Sequence, residues 1–82
     1  MSGHQEVGAL FRRVQEATGL SRIISAGPVR RALAAVGAVP EVAQPQDYIR
    51  ALPDLQRRLT IFIGPEEALR RITELRKWLS RM

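Results

Sequence analysis

An all-α fold, a compact bundle of five to six short helices, is what this 82-residue sequence predicts. Three observations carry that expectation. Apolar residues return at steps of three and four along most of the chain, which places them on one face of a helix. Glycines at 19, 27, 37 and 64 and prolines at 28, 40, 45, 53 and 65 separate these runs, where helices stop and restart. A composition of 45% hydrophobic and 26% charged residues is that of a chain able to bury one core.

Residues 1–5 read as a flexible N-terminal tail and 6–82 as a single helical domain. From Glu6 onward, Val7, Leu10, Phe11, Val14 and Ala17 form one helical stripe, and Gly19 ends it. Leu20 to Ala26 is long enough for one or two turns. Gly27-Pro28 then opens a helix with Val29, Leu33 and Val36 inward, Arg30 and Arg31 outward, and Gly37 as its stop. Residues 38–46 hold Pro40 and Pro45 and read as a loop. Asp47 to Leu52 offers a short helix on Tyr48, Ile49 and Leu52. Pro53 begins another, with Leu55, Leu59 and Phe62 on one side.

Gly64-Pro65 repeats the stop-and-restart pattern. The last helix carries Ala68, Leu69, Ile72, Leu75, Leu79 and Met82 at helical spacing. Glu66 and Glu67 fall in its first turn and Arg76, Lys77 and Arg81 near its end, which complements the helix dipole. Glu66–Arg70 and Glu67–Arg71 are spaced to pair. One segment admits a second reading. Leu59-Thr60-Ile61-Phe62-Ile63 is rich in β-branched and aromatic residues, so a short strand at 59–63 would make the fold α+β.

The sequence offers no set of catalytic residues. There is no cysteine, which removes disulfides and thiol chemistry, and the one histidine, His4, lies in the expected tail. The carboxylates are scattered, and no glycine-rich phosphate loop is present. The expectation is a protein that is not an enzyme and uses no cofactor or metal. The N-terminus has neither the basic nor the apolar segment of a secretory signal. The longest apolar run, residues 32–39, is too short for a membrane span. The expected location is cytoplasmic, with no membrane partner. Twelve of the thirteen cations are Arg, a bias typical of a GC-rich bacterial genome.

What remains is binding. A net charge of +5 and a pI near 11.3 favour acidic partners. Arg12-Arg13, Arg30-Arg31, Arg57-Arg58 and Arg70-Arg71 form doublets on four expected helices, mainly off the apolar stripes. Together with Asp47, Asp54, Glu66, Glu67 and Trp78, the doublets Arg12-Arg13, Arg30-Arg31 and Arg57-Arg58 make up the expected interaction surface. The acids would pair with the arginines across an interface, and Trp78 would serve as an aromatic anchor. The leading expectation is a protein–protein interaction (adaptor or assembly) module whose partner is a protein, a second copy of itself included. A basic nucleic-acid-binding protein of low sequence specificity is the first alternative. A small inhibitor, antitoxin or chaperone-type partner subunit is the second.

Two resemblances bear on this. The layout of five to six short helices resembles the death-fold domains, and Gly64 to Leu79 resembles the long C-terminal helix of sterile-alpha-motif domains. Both imply self-association. Ala17 to Arg22 also looks like the turn of a helix-turn-helix, and Val29 to Leu33 like part of its recognition helix. Gly27-Pro28, however, falls where that helix should already be running, and proline in a helix interior is costly. On the sequence alone the motif is set aside.

Overall fold

The computed structural model describes residues 2–82, with side chains from Gly8 onward. The expected tail at 1–5 lies outside the residues whose side chains are described. The chain forms four helices: α1 (Ser2–Ala17), α2 (Arg22–Ala35), α3 (Pro45–Ile63) and α4 (Pro65–Ser80). The all-helical expectation holds, and among the described residues there is no strand. The count of five to six helices does not hold, because two prolines expected to start helices lie inside them.

Gly27-Pro28 is the first of these. α2 begins instead at Arg22, where the Ser21 hydroxyl accepts the Ile24 N–H at 3.3 Å and caps the helix. It then runs through Pro28 to Ala35. Proline removes one backbone hydrogen bond and crowds the carbonyl four residues back, at a cost of about 3 kcal/mol. The offset is tertiary. Ser25, Pro28, Val29, Ala32 and Leu33 are all buried, at steps of three and four that pass straight through the proline. Gly37 is the stop expected: its φ is +77°, its N–H donates to the Ala34 carbonyl, and Ala38 N–H donates to Leu33.

Pro53 is the second. The two helices expected on either side of it are one, α3, because Tyr48, Ala51, Leu52, Leu55 and Leu59 form an unbroken buried stripe. Pro53 itself is exposed, so the disturbed backbone lies on the solvent side, where helices bend outward at little cost. Pro45 occupies the first turn, and the Asp47 carboxylate accepts the Gln44 N–H at 2.8 Å.

The strand reading of 59–63 is overturned: these residues are the last turn of α3. Leu59 is fully buried, while Ile61 is 82% and Phe62 50% exposed, so Phe62 does not share the inward side expected for it. A strand would leave its backbone groups in need of a neighbour; the helix satisfies them itself, ending with Gly64 N–H on the Thr60 carbonyl at 2.9 Å. Gly64, at φ +85°, is the sole link to α4, whose buried residues are Ala68, Ile72, Leu75 and Leu79. Leu69 and Met82, placed on that stripe by spacing, are exposed.

α3 packs most extensively on α4 and next on α2, while α1 leans on α2 and touches α4 over a short stretch. Val14, Leu33, Leu52, Leu59 and Leu79 are at the centre of the common core. Tyr48 is buried there too, and burial pushes its phenol up to about 12, so the ring stays neutral. No described helix is long and apolar enough to cross a membrane.

Candidate docking groove and the placement of the arginines

The C-terminal end of α1 is built on polar contacts. Gln15 and Thr18 are buried, although neither is apolar. The Gln15 amide donates to the Arg22 carbonyl at 2.8 Å and to the Ser25 hydroxyl at 3.2 Å, which ties α1 to the start of α2. Thr18 donates to the Gln15 carbonyl at 2.6 Å and accepts the Leu20 N–H at 3.1 Å. Gly19, at φ +80°, then turns the chain. A side chain at this position would also collide with Arg71, whose Cζ lies 2.8 Å from where a Cβ would stand. Arg71 therefore sits against the carbonyl end of α1, where a helix dipole favours a cation.

This junction is the head of a groove between α1 and α4, about 480 Å³ in volume. α1 supplies Arg13, Glu16 and Ala17; α4 supplies Arg70, Arg71, Glu74, Trp78 and Arg81, with buried Leu75 behind them. Arg70, Glu74 and Trp78 are four residues apart and so share one flank of α4. The Arg13 guanidinium lies over the Trp78 ring, 4.9 Å from its centroid, a cation–π contact that spans the seam. Glu67 accepts from both Arg70 and Arg71, the latter at 2.8 Å, and these two pairs hold its carboxyl below the ordinary range. Arg13 and Arg81 have no acidic partner among the described residues.

The other expected surface residues are dispersed. Asp54 binds Arg57 at 2.5 Å and Arg58 at 2.6 Å along α3, and the Arg58 hydrogen bond is the main reason its carboxyl is lowered. Asp47 holds Arg50 as well as the Gln44 N–H, and the backbone bond is the larger cause of its lowered pKa. Glu67–Arg71 pairs as the spacing predicts, while Arg70 takes Glu67 in place of Glu66. Glu66 is exposed at the α3–α4 corner. On the other two helices, Arg30 lies over the Phe11 ring at 5.3 Å, Arg31 reaches back beside Gly27, and Arg12 is exposed.

Four doublets on four helices thus do not make one face. Arg13, Arg70 and Arg71 meet at the groove with Trp78; Arg57 and Arg58 are occupied by Asp54; Arg30 and Arg31 stand on α2. Glu16, Glu74 and Arg81 complete the groove without having been expected there. Their signal was present in the sequence, since Glu74, Trp78 and Arg81 follow Arg70 at helical steps beside the core stripe. Gln15 and Thr18 were legible in the same way, because they continue the spacing of Phe11 and Val14. Together these features describe a small helical protein with an arginine-lined groove against one tryptophan. Compared with known proteins, the chain matches no family model, no curated protein and no solved structure.

Proposed function

We propose that this protein is a non-catalytic protein–protein interaction module that receives an acidic, partly apolar segment of a partner protein in the α1–α4 groove. The observation that carries this reading is the Arg13–Trp78 seam. Four arginines stand around a half-buried tryptophan, against two glutamates, in a space of about 480 Å³. A groove of that size accepts a few side chains, and Trp and Arg are the residue types that dominate binding hot spots. Glu16 and Glu74 interrupt the positive wall, which suits spaced carboxylates better than a continuous phosphate chain.

A photo-activatable side chain in place of Glu16, in the cells that make the protein, tests this. Adducts to a polypeptide from position 16, absent from a control at the exposed Pro53 on α3, are expected. Adducts to nucleic acid alone, equal adducts from both positions, or none at all would overturn the reading. Light scattering over a hundredfold range of concentration then separates a second copy of the chain from a different partner: mass that grows with concentration means self-assembly.

A further inference from the structure

We propose a further activity on a different face: the α1–turn–α2 segment is a helix-turn-helix that binds double-stranded DNA, with α2 as the helix that enters the major groove. The sequence argued against this motif because Gly27-Pro28 falls where the second helix should already be running and because the match needs an insertion of several residues. The structure removes the first objection, and the helix that follows the turn starts directly at Arg22. α2 runs unbroken from Arg22 to Ala35, and Pro28 is one of its buried residues. The connection from α1 is short, residues 18–21, and turns at Gly19 with φ +80°. Helices joined in this way by three or four residues with a glycine are the skeleton of the motif.

Burial follows the same logic. Val14, Gln15 and Thr18 on one side of the turn and Ser25, Pro28 and Val29 on the other are buried, and Gln15 bridges the two helices through Arg22 and Ser25. That leaves a separate outward face on α2. Ile23, Arg30 and Arg31 are exposed along it, Ile23 at 90%, and Ser21 and Arg22 are exposed at the start of the helix. Gly27 lies among them with no side chain, and the Arg31 guanidinium lies back along it, 3.1 Å from where a Cβ would stand. A glycine inside a helix costs about 0.5–1 kcal/mol relative to alanine; here it leaves room for the Arg31 guanidinium to lie along the helix.

Charge decides the ligand. Every ion pair among the described residues lies within α3 or within α4. Arg22, Arg30 and Arg31 have no acidic partner among those residues, so their charge is free for phosphate. Arg30 is steadied by Phe11 without being neutralised. The apolar Ile23 between these cations has the chemistry that meets a thymine methyl in the major groove, a groove wide enough for one α-helix. Of the six arginines in α3 and α4, all but Arg76 pair with an acid of the same helix.

Anisotropy titration of a fluorescent mixed-sequence duplex, from about 50 to 200 mM salt, tests the proposal. Binding whose logarithm falls linearly with the logarithm of salt is expected. Arg22→Gln with Arg31→Gln should weaken it at least tenfold and reduce the salt slope by about two. Arg50→Gln with Arg57→Gln removes the same charge from α3, away from the α1–α4 groove, and should leave affinity within about twofold. Unchanged helical circular dichroism and Trp78 emission verify the fold of each variant. No binding at physiological salt, equal loss from both double variants, or a single strand bound as tightly as the duplex would overturn the proposal. Crosslinking from position 16 reads the α1–α4 groove independently, so either activity can fail while the other stands.

Discussion

The two halves of this molecule treat their arginines in opposite ways. In α3 and α4 each acid sits three or four residues from a cation, and Asp54 and Glu67 each hold two. Among the side chains described in α1 and α2, the cations Arg12, Arg13, Arg22, Arg30 and Arg31 form no ion pair, and Glu16 is the one acid beside them. Aromatic rings orient two of them instead, Trp78 for Arg13 and Phe11 for Arg30. The packing divides along the same line. α3 and α4 close over Leu52, Leu55, Leu59, Ile72 and Leu75, while α1 meets α4 through long polar side chains and leaves a groove. Helices joined by Leu and Ala close fully; helices joined by Arg, Glu and Trp stay apart and keep charge on offer.

The largest effect expected from breaking this contrast is on the closed side. Leu59→Ala removes a fully buried side chain where α3 meets the core and should cost about 2–5 kcal/mol in urea unfolding. A cost below about 1 kcal/mol would mean that the end of α3 is not seated as described. Gln15→Ala acts on the polar junction of the open side. It leaves the buried Ser25 hydroxyl without its donor and takes one of two side-chain donors from the Arg22 carbonyl, and a loss of about 1–3 kcal/mol is expected.

The smallest effect comes from the surface pairs. Asp54→Asn should cost only about 0.5 kcal/mol, because both partners lie along the same helix near its solvent side, where water screens the pairs. Its pH dependence has a definite sign. Asp54 is lowered from 3.8 in the folded state, so its contribution is present above that value and is lost as pH falls through the lower folded one. Acid unfolding followed for the parent and for Asp54→Asn should converge at low pH. Curves that stay parallel below pH 3 would show that the pairs contribute nothing.

Several features of the fold were readable from residues alone. The residues Ala68, Ile72, Leu75, Leu79 and Val29, Leu33 place helices because periodicity of 3.6 reports burial directly. Gly19, Gly37 and Gly64 end helices where expected, since a positive φ is a local property of the chain. The prolines were not readable. Pro45 and Pro65 start helices, while Pro28 and Pro53 lie inside them, and no local rule separates the two kinds. What separates them is whether a continuous buried stripe crosses the residue.

The candidate sites divide in the same way. Exposure of the arginine doublets follows from their place beside the apolar stripes, and pairing within α3 and α4 follows from spacing. The meeting of Arg13 with Trp78 joins residues far apart in the chain, and the contact of Arg71 with Gly19 does likewise. The sequence by itself determined that this protein is helical, basic and rich in exposed arginine, because composition, period and glycine conformation are local. Only the tertiary structure decided how many helices there are, which cations are cancelled and which stand free. Those outcomes depend on packing energy gathered from several helices at once, large enough to override a proline and specific enough to choose each arginine's neighbour.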